Sequence, residues 1–241
     1  MWFASQLGSA VSSAYNESST LRLAGALDVA ALERALRELV ARHEALRTTF
    51  SAAGEFQIVA AAATIALPRH DLSAEAEVAE CIDREVQRPF DLVQGPLFRA
   101  TLVRQAPELH LLVLVVHHII CDGWSLGIMM RELGELYSAQ EAGRAPRLAA
   151  APRFSEYAAR QASARETPAF AAAETYWKSQ FAGEVPVLDL PTDRPRPTHR
   201  TYAGGFLLAT LPADVTAAVK QLCAERDCTA FTTLFAAFQV L

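Results

Sequence analysis

Apolar positions along the chain change spacing from place to place, and the changes mark out the elements. Leu109-His110-Leu111-Leu112-Val113-Leu114-Val115-Val116 is the most apolar run and carries no charged residue, which predicts a strand covered on both faces. Beyond it Leu126, Met129, Met130, Leu133, Leu136 and Tyr137 recur at three- and four-residue intervals, predicting a helix with Ser125 as its N-cap. Between the two stands His117-His118-Ile119-Ile120-Cys121-Asp122-Gly123-Trp124-Ser125, a predicted strand-turn-helix corner. Upstream, residues 21–27 read as a strand. Asp28 can cap a helix that carries Val29, Leu32, Leu36, Leu39, Val40, His43 and Leu46 on one face and ends near Phe50. Residues 56–59 and 64–67 are short strand candidates, and 74–87 reads as a helix closed before Pro89. Residues 97–104 resume strand character and form a hairpin with 109–120 through the turn-like Gln105-Ala106-Pro107-Glu108.

Helical crossovers and a hairpin together predict an α/β fold with a mixed sheet covered by helices. Prolines thicken at Pro186, Pro191, Pro195 and Pro197, placing a linker or lobe crossing there. The expected organisation is a first lobe over 1–181, a crossing over 182–203 and the beginning of a second, truncated lobe over 204–241. That second lobe would open with a strand at 206–211 and helices at 213–225 and 229–241.

With 241 residues and 51% hydrophobic composition, the chain can bury a sizeable core. Its longest apolar stretch is about half of the ~20 residues a membrane helix requires, so no span is expected. The first 14 residues lack the basic start and solid apolar centre of a signal peptide, which points to a cytoplasmic location. A net charge of −5 without a Lys/Arg-rich block argues against nucleic acid. Cys81, Cys121, Cys223 and Cys228 show no zinc spacing and are expected to be reduced thiols.

Side chains alternate across a strand, so His117 and His118 are expected on opposite sides, one toward packed interior and one toward open space. Diverging histidines without HExxH or a third clustered ligand argue against a metal. Gly123 fits either a tight turn or an N–H aimed at a developing oxyanion. Trp124 and Trp177 are expected in the core, and His43 as a hydrogen-bonded core histidine. Arg42 and Arg47 could sit on a solvated helix face, with Glu38 four residues before Arg42.

The nine residues from His117 to Ser125 resemble the core motif of the condensation domains of nonribosomal peptide synthetases, related in fold to chloramphenicol acetyltransferase. Arg42-His43-Glu44-Ala45-Leu46-Arg47-Thr48-Thr49-Phe50 is similar to that family's second motif, and Met1-Trp2-Phe3 to the tail of its first. Phe154-Ser155-Glu156-Tyr157-Ala158 resembles its fourth, although the family usually has tyrosine first and aspartate third. Tyr176-Trp177 and Leu188-Asp189-Leu190-Pro191-Thr192-Asp193-Arg194-Pro195 resemble the passage toward the second lobe.

The resemblance implies a chloramphenicol acetyltransferase-like lobe and an acyltransferase that joins an acyl or peptidyl thioester to an aminoacyl thioester. It implies His118 as the working imidazole, whether general base or anchor for the amine, and a structural ion pair between Asp122 and an arginine, Arg42 or Arg47. Phosphopantetheine would arrive on upstream and downstream peptidyl carrier proteins, beside an adenylation domain, with no cofactor held by this chain. An isolated fragment is expected to be inactive. Alternatives are an epimerization domain with the same motif, a non-catalytic recruitment domain, and a stand-alone coenzyme A acetyltransferase.

Overall fold

The computed structural model describes residues 1–189, 191–198, 201–202, 204 and 207–240. Two short helices, α1 (Trp2–Ser5) and α2 (Ser9–Ser13), lead into β1 (Asn16–Ala24) and α3 (Val29–Arg42). A single 3-10 turn, Glu44–Arg47, then feeds a two-stranded antiparallel ribbon of β2 (Thr48–Phe50) and β3 (Gln57–Val59). Next come β4 (Arg69–Asp71), α4 (Glu75–Gln87), β5 (Phe98–Ala106), β6 (Leu109–His117) and α5 (Gly123–Glu141). Four helices follow: α6 (Phe154–Ala164), α7 (Pro168–Gln180), α8 (Ala213–Glu225) and α9 (Ala230–Phe238). The chain divides into two compact units, Met1–Tyr202 and Ala203–Leu241.

The main sheet has the order β1-β6-β5-β4, with β6 antiparallel to both neighbours and β4 parallel to β5, which makes it mixed as expected. The absence of charge in β6 follows from its position: it is hydrogen-bonded on both edges and covered on both faces. Val103 and Leu111, cross-strand partners on one face, meet Val78 and Cys81 of α4. Leu102 and Leu112, one residue along, point the other way into a cluster with Leu36 and Leu39 of α3 and Leu133 and Leu136 of α5. Each of these buried leucines contributes about 1.5–3 kcal/mol over an exposed one. Together they fix α5 against α3, and α5 in turn fixes the corner that precedes it.

Several boundaries differ from the sequence-based expectation. β1 begins at Asn16, because the polar stretch Asn16-Glu17-Ser18-Ser19-Thr20 pairs in register with β6, Asn16 opposite His117 and Thr20 opposite Val113. Pairing here overrides weak local propensity. α3 stops at Arg42 instead of near Phe50, since His43 is extended (φ −103°, ψ 113°) and the chain turns into the 3-10 segment. Residues 64–67 form no strand; β4 lies just beyond Pro68, where it finds a partner in β5. The expected strand at 206–211 has its first residue outside the described ones, and 207–211 carry no strand. α8 matches the expected helix, and α9 is shorter than expected.

Trp124 and Trp177 are not in the core: they are 82% and 60% exposed. Trp177 instead joins a surface row of rings on α7 with Tyr176 and Phe181. All four cysteines are free thiols. Among the described residues no helix is long and apolar enough to cross a membrane, and no group of three or more His, Cys, Asp or Glu is placed to hold a metal ion.

Candidate active site

The corner forms where the β6 ladder ends. His117 is the last residue of that strand, and its N–H donates to the Leu97 carbonyl at 3.0 Å. The N–H of His118 donates to the Tyr15 carbonyl at 2.8 Å, on the other side. Backbone tethers on both edges therefore hold the two residues while their side chains diverge.

His117 points inward and is 0% exposed, ringed by Tyr15 and Phe90. Its Nδ1 accepts the Ile119 N–H at 3.1 Å, so in the neutral ring the proton sits on Nε2, 3.4 Å from Ser5 Oγ. Burial, helped by the neighbouring His118, lowers its pKa to about 4. The unfolded chain takes up this proton near pH 6.5 and the folded chain only near pH 4, so the stability His117 contributes is complete above 6.5 and falls away between 6.5 and 4. The loss over that window amounts to about 3 kcal/mol. Denaturant midpoints of the wild type and His117→Asn, compared from pH 7 to pH 4, should show the steeper acid loss in the wild type; parallel curves would contradict it.

His118 has the opposite environment. Its side chain is 33% exposed, and Nδ1 lies 2.7 Å from the Cys121 carbonyl, with Glu17 Oε1 at 3.7 Å. A carbonyl oxygen can only accept, so Nδ1 carries the hydrogen and the neutral ring keeps its lone pair on Nε2. The two adjacent histidines thus hold opposite tautomers, each set by one backbone group. A cleft of about 520 Å³ lies beside the corner, lined among others by His43, Leu46, Ile120, Cys121, Ser125 and Tyr157; His118 does not line it.

Asp122 takes a different role from the expected ion pair. It is exposed and is the N-cap of α5, accepting the Ser125 N–H at 2.8 Å and the Ser125 hydroxyl at 2.6 Å on its Oδ1. Those hydrogen bonds hold its carboxyl below the usual range. The cap is therefore Asp122 and not Ser125, because a carboxylate is the stronger acceptor for the orphan N–H groups of a first turn. Neither Arg42 nor Arg47 pairs with it among the described residues: Arg42 Nε bonds Glu132 Oε2 at 2.7 Å, and Arg47 donates to the Ala60 carbonyl. Asp122→Ala should cost about 1 kcal/mol, the usual worth of a cap, and Asp122→Asn much less. Thermal melts check this; a loss several times larger would point to a further partner.

Gly123, the first residue of α5, has no left-handed φ, and a Cβ placed there would meet nothing within 4 Å. No turn strain explains the glycine. What it leaves is an uncovered N–H in the first turn, where helix N–H groups have no partner within the helix. Cys121 contributes its carbonyl and not its sulfur, since burial first, then Asp122 and Glu17, push its thiol up to about 12.

Glu132 is the buried charged residue that the sequence reading missed. It is 7% exposed on α5 and accepts from both Arg42 Nε and His43 Nε2 at 2.7 Å. Burial opposes its ionisation, but the hydrogen bonds and charge of Arg42 and His43 outweigh that and lower its pKa. Its signal was legible: Glu132 falls three residues after Met129 and four before Leu136, on the apolar stripe of the helix. His43 is hydrogen-bonded as expected, to this carboxylate, but it is half-buried at the edge of the cleft and not in the core.

The family model for the condensation domain matches residues 1–241. Over 94% of its length the chain is 43% identical to one of the linear gramicidin synthase proteins of Brevibacillus parabrevis, of which it covers 3%. It is similar to a structure described as the complex of the X-domain and OxyB from teicoplanin biosynthesis, at 32% identity and a TM-score of 0.75, over 89% of this chain and 49% of that one. The starter condensation domain of the rhizomide synthetase RzmA is similar at 27% identity and a TM-score of 0.68, over 74% of this chain and 45% of that one. The chain thus spans about half of these solved chains and a small part of the gramicidin synthase protein. With its histidine corner, mixed sheet and end-to-end match, the chain belongs to the condensation-domain family.

Proposed function

We propose that the corner at His118 serves amide bond formation in nonribosomal peptide synthesis, as part of a larger condensation domain. The observation that carries this reading is the hydrogen bond from His118 Nδ1 to the Cys121 carbonyl, which leaves a lone pair on Nε2 of a solvent-open ring. An aminoacyl thioester presents its amine there. As the amine nitrogen attacks the upstream thioester carbonyl, Nε2 holds or takes the proton that nitrogen sheds. The C–N bond forms, the C–S bond breaks, and the leaving sulfur departs as a thiol with that proton.

The uncovered N–H of Gly123, at the positive end of α5, supplies a donor for the oxyanion. Cys121, held as a neutral thiol, supports direct aminolysis over an acyl-enzyme on this chain. Both phosphopantetheine arms belong to the upstream and downstream carrier proteins, with an adenylation domain as neighbour. Covalent delivery of both reactants keeps their effective concentration high, so neither side chain has to be bound tightly.

A recruitment role has support from the likeness to the X-domain that was solved with OxyB. The free Nε2 of His118 weighs for catalysis. Epimerization is the other reading within the family. To separate the three, the complete domain is incubated with both loaded carriers, the donor carrying deuterium at its α-carbon, and the carriers are weighed by mass spectrometry. Transfer of the acyl mass to the acceptor carrier is expected. Loss of deuterium without transfer would favour epimerization, and no change on either carrier would favour recruitment.

A further inference from the structure

Cys223 and Cys228 stand five residues apart at the C-terminus of α8, and the local backbone brings them together. Arg226 is the C-cap, Asp227 is left-handed at φ 48°, and the Cys228 N–H donates to the Cys223 carbonyl at 3.0 Å. That bond is the long closure of a Schellman motif, which places the side chains of its two ends against one another. The sulfurs confirm the approach: Cys223 Sγ lies 3.2 Å and Cys228 Sγ 3.3 Å from the same atom, Thr233 Oγ1 on α9. Both cysteines are partly exposed, whereas Cys81 and Cys121 are buried. Two sulfurs that share one close neighbour, on residues whose backbones are already joined by a hydrogen bond, are near enough for their side chains to turn toward each other and close a bridge.

We propose that Cys223 and Cys228 form a redox-active dithiol that closes to an intramolecular disulfide by exchange with a small-molecule disulfide. One cysteine thiolate attacks the S–S bond of the small disulfide, giving a mixed disulfide and releasing one small thiol. The second cysteine attacks the protein sulfur of that mixed disulfide, forming the Cys223–Cys228 bond and releasing the other. Two cysteines are oxidised, one small disulfide is reduced to two thiols, and the two cysteine protons leave on those thiols. The bridge takes both sulfurs away from Thr233 and fastens the α8 end to the turn that leads into α9.

Arg226 lies between the two cysteines, so trypsin puts them on separate peptides that stay joined only if the bridge is present. The test treats the whole reduced protein with oxidised glutathione and maps its peptides without reduction. The joined pair is expected as the main product at these positions, and dithiothreitol should release it. Cys223→Ser and Cys228→Ser should each stop at the glutathione mixed disulfide on the remaining cysteine. Wild-type protein that ends with glutathione on both cysteines, or with both thiols free, would overturn the proposal.

Discussion

His118→Ala in the complete domain is expected to lower the rate of amide formation by about 10²- to 10⁴-fold, the usual contribution of a positioned acid–base group. The fold should survive. The ring is partly exposed, and its only close hydrogen bond among the described residues is to the Cys121 carbonyl, so its loss removes one hydrogen bond, worth about 1 kcal/mol, and no packed core. The melting temperature should therefore stay near that of the wild type while product on the acceptor carrier falls. His118→Gln refines the point, because a side-chain amide can anchor an amine by hydrogen bonding but cannot take its proton. Activity retained by the glutamine variant alone would assign His118 to positioning; activity retained by both would remove it from the mechanism.

Glu132→Ala is expected to be the most destabilising of the substitutions at this site, costing about 3 kcal/mol. The carboxylate is buried where α5 meets the end of α3, and its removal leaves the mostly buried Arg42 guanidinium without its counter-charge. For a unit of this size the loss corresponds to a melting temperature lower by roughly 6–12 °C. The cost should be mostly that of the stranded cation. Replacing both partners, as in Arg42→Met with Glu132→Leu, should recover much of the loss, because an apolar pair of similar volume avoids desolvating two charges. A double variant no more stable than Glu132→Ala would show that packing, and not the unpaired charge, sets the cost.

The parts of the fold most legible in the sequence were those with strong periodicity. The charge-free run of β6 and the three-and-four spacing of α5 located the corner between them, and the opposite environments of His117 and His118 followed from strand alternation alone. What could not be read depended on partners distant in sequence. Asn16 to Thr20 are strand only because β6 lies beside them, and β4 is strand only because β5 offers it an edge. The same limit explains the ion pair. The resemblance implied an arginine partner for Asp122 of the motif, but an aspartate at a helix start finds the N–H groups of its own first turn sooner than a remote arginine. Arg42 was left to Glu132, across from it on a helix 90 residues later. The two tryptophans were read as core on size alone, and size does not determine which face a helix buries.

The central claim is that the neutral His118 ring carries its hydrogen on Nδ1 and its lone pair on Nε2. Nitrogen-15 NMR of the histidine-labelled domain, recorded at a pH where the ring is neutral and assigned with His118→Gln, tests it most directly. For His118 the spectrum should show a protonated Nδ1 and a bare, pyridine-like Nε2, with His117 showing the reverse. A protonated Nε2 on His118 would leave no base facing solvent and would contradict the mechanism proposed for this corner.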